Sequence, residues 1–283
     1  MNLKPNLEES FTQAVRSSGC MVLIRGPSVK RSCYNTPMAD NLSQMLHRLA
    51  NELRKATRIL CLTGAGVSAE SGVPTFRDAG GLWEGARAED LATPEAFQRD
   101  PDLVWRFYRS RRLKLLSVYP NPAHEVIARF ESRFPDFNLV TQNVDGLHQR
   151  AGSTRLLCLH GDIWIDRCTA CGFERRVESA DDPTQCSRCG KRTRPGVVWF
   201  GEMLPDGVFE HAVKLASDAE VVLVVGTSSV VYPAASLAGI AKQGGALVAE
   251  INPNATALSD SADLVIATNA GEALPELENL LNN

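Results

Sequence analysis

Hydrophobic positions change their period along this chain. Leu42, Met45, Leu46, Leu49, Ala50 and Leu53 recur three and four apart. That is the spacing of one helix face, and Asp40 or Asn41 stands where an N-cap belongs. Further on, short continuous apolar runs replace the helical period: Arg58–Thr63, Asn138–Thr141, Leu156–His160, Val197–Phe200, Val221–Val225, Leu247–Ile251 and Leu264–Ala267. Helical patterns separate most of them. Strands that are apolar on both faces and alternate with helices predict a parallel sheet covered on both sides, an α/β fold of the doubly wound, Rossmann-like type. Ligands of such sheets bind beyond the carboxyl ends of the strands, and Gly, Ser, Thr, Asn and Asp concentrate there in this sequence.

Two segments depart from that pattern. Residues 164–194 are charged, carry cysteines and lack a long apolar run, so they are expected to form a smaller inserted module. The sheet domain then comprises residues 41–163 and 195–283, with a helical insertion over about 84–120. Residues 1–40 show no sustained period and are poor in acids after Glu9. They are expected to be a poorly ordered extension, read either as a transit peptide or as an addition preceding a functional start at Met38.

Composition narrows the class. The chain has 283 residues, 44% of them hydrophobic, enough for one large domain and a small module. A net charge of −3 gives no basic field, so nucleic acid is not expected as a direct partner. No run approaches the ~20 apolar residues of a membrane span. Eight cysteines in this length are too sparse for a secreted disulfide scaffold and suit a reducing compartment. The expected location is cytoplasmic, or mitochondrial if residues 1–37 act as a transit peptide. Cys61 and Cys158 lie inside apolar runs and read as small buried hydrophobes.

The most specific chemical signal is Cys168-x-x-Cys171, a gap of 14 residues, then Cys186-x-x-Cys189. Four thiolates in two knuckles suit tetrahedral zinc, and a full set of protein ligands makes that zinc structural. At the strand ends, Gly64-Ala65-Gly66-Val67-Ser68 follows the first run. Its glycines permit close backbone approach to a diphosphate, or make an ordinary strand-to-helix turn. The continuation Thr75–Trp83 has the look of a mobile loop. Thr141-Gln142-Asn143-Val144-Asp145-Gly146 offers amides and a carboxylate that suit a ribose and a carboxamide, or that cap a helix. His160 stands before a glycine at another strand end, where an imidazole titrating near ~6.5 can accept a proton. Gly226-Thr227-Ser228 and Asn252-Pro253-Asn254 close two further strands.

Together the segments Gly64–Arg77, Thr141–His148 and Leu159–Gly161, the paired Cys-x-x-Cys, Val197–Glu202 and Gly226–Ser228 resemble the sirtuins, NAD-dependent protein lysine deacylases, over about residues 59–270. The resemblance implies an NAD site between the sheet domain and a smaller domain built from the zinc module and the helical insertion. Gly64, Ala65, Gly66, Ser68, Phe76, Arg77 and Trp83 would surround the cofactor. Gln142, Asn143 and Asp145 would hold ribose and nicotinamide, while Gly226, Thr227, Ser228, Asn252, Pro253, Asn254 and Ala270 line the remainder. His160 matches the general base, with Asn143 beside it as the second catalytic residue. Val198–Glu202, with Val198, Phe200 and Gly201 as its substrate-binding residues, and the 229–232 loop would clamp an acyl-lysine peptide as an added strand. The implied chemistry transfers the acyl group from lysine to ADP-ribose. NAD is consumed, and nicotinamide and O-acyl-ADP-ribose are released.

Tyr108 and Arg111 stand three apart, hence on one helical face. A phenol and a guanidinium fork suit a carboxylate, although a solvated basic face is the plainer reading of the pair. The spacing resembles that of the sirtuins that remove succinyl, malonyl or glutaryl groups, and Ala88 resembles their small pocket residue. Desuccinylation and demalonylation are therefore expected, with deacetylation retained. The rivals are mono-ADP-ribosyl transfer and a non-catalytic zinc-ribbon binding module.

Overall fold

The computed structural model describes residues 38–74, 82–83, 86–180 and 184–283. The chain divides into Met1–Asn41 and Leu42–Asn283. Of the first unit only residues 38–41 are described, as the opening turn of helix α1 (Met38–Lys55). Asp40 and Asn41 therefore lie inside the helix and do not cap it.

From α1 the chain enters β1 (Arg58–Thr63), turns through the short α2 (Gly66–Ala69) and makes a hairpin of β2 (Leu82–Trp83) and β3 (Ala86–Arg87). Four helices follow: α3 (Ala88–Leu91), α4 (Pro94–Arg99), α5 (Pro101–Leu116) and α6 (Pro122–Arg133). The last three start alike. Thr93, Asp100 and Asn121 each accept a first-turn N–H through the side chain, and a proline occupies the next position. There its missing N–H costs nothing and its fixed φ is already helical.

Next come β4 (Asp136–Thr141), α7 (Leu147–Arg150), β5 (Leu156–Cys158) and the strands β6 (Gly161–Cys168), β7 (Glu174–Arg176) and β8 (Thr193–Val197). The chain closes with α8 (Val208–Asp218), β9 (Val221–Val225), α9 (Ser236–Gln243), β10 (Leu247–Ile251), β11 (Leu264–Ile266) and α10 (Ala270–Asn282).

Six strands form the expected parallel sheet, in the order β11-β10-β9-β1-β4-β5. Strand alternation divides its side chains between two layers. Ile59, Cys61, Leu223 and Ile251 pack under α1, α6 and α10, whereas Leu60, Leu62, Val222 and Val248 pack under α8 and α9. Cys61 is fully buried, as expected, but Cys158 is only half-buried. No helix among the described residues is long and apolar enough to cross a membrane.

The run Val197–Phe200 does not join this sheet. Val197 ends β8, which pairs antiparallel with β6 in a separate three-stranded sheet, β7-β6-β8. The reason is local. At Gly161, with φ of +79°, a Cβ would stand 2.1 Å from the carbonyl oxygen of Gly196. The two backbones meet where only glycine fits, and the register shifts there. Val198–Phe200 continues beyond the strand as an irregular segment.

This small sheet and the helices α3–α5 share a core of their own, with Phe97, Trp105, Phe107, Tyr108, Trp164 and Trp199. A buried ion pair fastens α5 to β6: Arg112 donates to Asp166 at 2.8 Å and to the Ile163 carbonyl at 2.8 Å. Both side chains are 1% exposed. Arg175 donates to the other Asp166 oxygen at 3.0 Å. Removing one member strands a buried charge, which costs about 3–5 kcal/mol, whereas replacing both by apolar residues costs far less. Asp166→Ala is therefore expected to lose stability on that scale in denaturant unfolding, and Arg112→Met with Asp166→Leu to recover most of it. Equal losses in both proteins would contradict this view of the pair.

Candidate active site

The strand order reverses between β1 and β9, the switch point at which doubly wound sheets bind ligands. The loops leaving these strands do not diverge freely. Gly64 N donates to Val225 O at 3.2 Å and Gly66 N to Gly226 O at 2.7 Å. A Cβ on Gly66 would come within 2.6 Å of the Gly226 oxygen, and one on Gly226 (φ +59°) within 2.3 Å of Val67 N. The glycines read as diphosphate neighbours are thus first required to seat one loop on the other.

Above this contact opens a cavity of about 1090 Å³. Gly64, Ala65, Gly66 and Ser68 line it from the β1 end, and Gln142, Asn143 and Asp145 from the β4 end. His160 lines it from beyond β5, Gly226, Thr227 and Ser228 from beyond β9, and Asn252, Pro253 and Asn254 from beyond β10. Side-chain bonds lace these ends together. Gln142 donates to Thr227 Oγ1 at 3.1 Å, and Asn252 to the Thr227 carbonyl at 3.1 Å. Asn143 is buried, and its amide donates to Gly64 O at 3.0 Å and to Ser68 Oγ at 3.2 Å.

Asp145 is also buried. It accepts from Ser68 Oγ at 2.8 Å and from the Leu147 N–H at 2.9 Å. Burial pushes its carboxyl above the usual range, opposed by those two bonds and by the nearby Arg111 charge. Gly146, at φ +80°, takes the N-cap position of α7, so Asn143 does not cap that helix. Beneath these groups lie two buried imidazoles, His124 and His148, with ring centres 4.8 Å apart. Burial pushes His124 down to about 4, and burial with the neighbouring His124 pushes His148 down to about 3. Both are neutral at pH 7. His148 Nε2 meets Thr63 Oγ1 at 2.9 Å, and that hydroxyl donates to Thr141 Oγ1 at 2.8 Å, which in turn accepts the Asn143 N–H at 3.1 Å.

His160 is half-buried in the turn between β5 and β6. Its Nδ1 lies 3.0 Å from the carbonyl oxygen of Gln142. A carbonyl can only accept, so Nδ1 carries the proton and Nε2 keeps its lone pair. Burial lowers the pKa below the ordinary imidazole value, and the Gln142 bond partly offsets this.

On the opposite side, α5 presents Phe107, Tyr108 and Arg111 to the same cavity. Burial pushes the Tyr108 phenol up to about 12, so it stays protonated. Burial also lowers the Arg111 pKa, and the neighbouring Asp145 carboxylate opposes this. The Arg111 guanidinium lies 5.6 Å from the Phe107 ring centre. Val198, Phe200 and Gly201 line the mouth, near the exposed Met203 and Tyr232.

The four Sγ atoms of Cys168, Cys171, Cys186 and Cys189 lie within 4.8 Å of one another. A zinc ion with ~2.3 Å bonds to four sulfurs at tetrahedral corners sets them about 3.8 Å apart. Backbone N–H groups of Ala170, Cys171 and Arg188 point at Cys168 or Cys186 sulfur at 3.4–3.5 Å, a pattern that favours thiolates. The cluster suits a structural zinc.

Some expected site residues fall elsewhere. Phe76 and Arg77 lie outside the described residues, as do the side chains of Trp83 and Ala88. Ala270 is buried in the core under the sheet, and its neighbour Asn269 lines the cavity instead. Ala270 starts a helix whose apolar face turns inward, which leaves the preceding residue at the strand end. Glu70 and Trp199, inside segments that carry the family resemblance, also line the cavity, as do Phe107 and Met203–Asp206, which no motif marked.

A doubly wound sheet with a large cavity at its switch point and a four-cysteine cluster beside it defines a nucleotide-binding α/β protein of a particular kind. Residues 64–233 match the Sir2 family. The NAD-dependent protein deacylase of Aquifex aeolicus (strain VF5) is 49% identical over 226 residues, spanning 79% of this chain and 95% of that protein. The NAD-dependent protein deacylase 2 of Pyrobaculum aerophilum is 51% identical over 233 residues, spanning 81% and 93%. A crystal structure of a Sir2 homolog–NAD complex superposes with a TM-score of 0.79 at 46% identity, covering 83% of this chain and 93% of that one. A Sir2–p53 peptide–NAD+ complex gives 0.73 at 32% identity, covering 82% and 96%. The chain belongs to the Sir2 family.

Proposed function

We propose that this chain is an NAD-dependent protein lysine deacylase that removes acidic acyl groups, succinyl and malonyl, as well as acetyl. The NAD-dependent deacylase activity is supported by family membership and by relatives of that name that align over nearly their whole length. One observation carries the acidic preference: Tyr108 and Arg111 line the same cavity as His160 and Asn143. A protonated phenol and a guanidinium together give a donor set that a terminal carboxylate satisfies and a methyl group does not.

The chemistry NAD supplies when bound is an electrophilic ribose carbon with nicotinamide as leaving group. The residues do the rest. His160 lines the cavity with its Nδ1 bonded to the Gln142 carbonyl, which leaves Nε2 as the nitrogen that can take a proton from a hydroxyl. Asn143 and Asp145 are fixed by Ser68 and the Gly64 carbonyl, so their positions need no rearrangement when a ligand arrives. The Val198–Glu202 segment and the 229–232 loop expose apolar side chains at the mouth, suited to holding a peptide in extended form. The acyl-lysine would enter between them.

With NAD and matched peptides, succinyl-lysine should be cleaved faster than acetyl-lysine. Arg111→Met should lower the succinyl rate about 10–100-fold, the scale of a hydrogen bond to a charged group, and leave the acetyl rate much less affected. Faster acetyl cleavage, indifferent to Arg111, would make the chain an ordinary deacetylase. Nicotinamide release without either deacylation would favour ADP-ribosyl transfer.

The His160 environment sets a second expectation. Its pKa is lowered, so the neutral base persists below the ordinary ~6.5 and protonates only in more acid solution. The acid limb of kcat/KM is expected below pH 6.5 and absent from the slow residual turnover of His160→Ala. An acid limb at or above pH 7 would contradict the assignment.

A further inference from the structure

The phenol of Tyr108 does not stand alone. The indole Nε1 of Trp199 donates to the Tyr108 hydroxyl oxygen at 2.9 Å, and both residues are buried. An indole N–H can only donate. The phenol oxygen is therefore the acceptor in this bond, and its single proton must point elsewhere. Tyr108 and Trp199 both line the cavity.

Trp199 is itself held from several sides. The Arg194 guanidinium lies 3.4 Å from its ring centre, a stacked cation–π contact. Glu202 grips that guanidinium through both terminal nitrogens, at 2.5 and 2.8 Å, and accepts the Trp199 backbone N–H at 2.9 Å. The Phe97 ring packs 5.1 Å away. The Arg194 charge is thus engaged by Glu202, and the indole has little freedom to turn.

We propose that Trp199 is a specificity-determining positioning residue whose indole N–H commits the Tyr108 hydroxyl to donating into the cavity, biasing the site toward acyl groups that end in a carboxylate. This rests on the acidic-acyl reading above. A carboxylate has only acceptors to offer, so a phenol already supplied with a donor is matched to it. Without the indole N–H, the phenol could accept as readily as donate, and part of that match would be lost. An acetyl methyl makes no hydrogen bond and gains nothing from the arrangement. The phenol is also kept protonated by its burial. A phenylalanine at position 199 would keep the ring and its stacking but remove the donor.

The test compares wild type, Trp199→Phe, Tyr108→Phe and the double variant on matched succinyl- and acetyl-lysine peptides, each pair measured on one preparation so that partial misfolding cancels. Trp199→Phe should lower the succinyl-to-acetyl ratio of kcat/KM about tenfold, mainly through KM for the succinyl peptide. In the Tyr108→Phe background the same change should shift the ratio less than about twofold, because its effect runs through the phenol. An unchanged ratio in Trp199→Phe, or an equal drop in both backgrounds, overturns the role given to Trp199 while leaving the acidic-acyl reading intact. A wild-type enzyme with no succinyl preference overturns that reading, and the role of Trp199 with it.

Discussion

The site depends on the backbone contact between the loops that leave β1 and β9. Gly66 and Gly226 meet where neither tolerates a Cβ, and Gly64 adds a second backbone bond across the same seam. The Gly64 carbonyl fixes the amide of Asn143, and Thr227, just past Gly226, receives both Gln142 and Asn252. Side chains from three strand ends, and the backbone leaving β1, therefore take their positions from one close approach. The glycine-rich turn serves the chemistry first through packing, since displacing either loop would unseat the amides together.

A second constraint brings the α5 wall of the cavity to that floor. Tyr108, Arg111 and Arg112 follow one another along one face of α5. Arg112 locks into Asp166 of the small sheet, while Tyr108 and Arg111 turn to the cavity. The same sheet carries Cys168 at the end of β6 and leads, through β8, to Trp199. A zinc held by the four cysteines would thus stiffen the sheet to which α5 is fastened and from which Trp199 projects, without touching the reacting groups. The neutral pair His124 and His148 beneath Ser68, Thr63 and Thr141 makes this floor polar yet uncharged.

Much of this was legible in the sequence. Five-residue runs such as Val221–Val225 are apolar on both faces because helices cover both, and residues at the ends of parallel strands converge whatever the loops between them. Paired Cys-x-x-Cys spacing is likewise enough to anticipate the cluster. Other features depend on contacts that periodicity does not encode. Val197–Phe200 has the composition of a central strand, but the Gly161–Gly196 contact draws it to another sheet. Ala270 is implied by the resemblance, yet its helix turns it into the core and leaves Asn269 at the cavity. Trp199 was visible within its motif, but its role depends on Tyr108, 91 residues away in the chain.

The central claim is that charge on the acyl group, and not its length, is what α5 reads. It is tested most directly with two peptides differing only in the lysine modification, one succinyl and the other its neutral succinamide isostere. The neutral isostere is expected to be cleaved at least about tenfold less efficiently, through a higher KM. Equal kcat/KM for the two would contradict it and leave Tyr108 and Arg111 as no more than the wall of a roomy pocket.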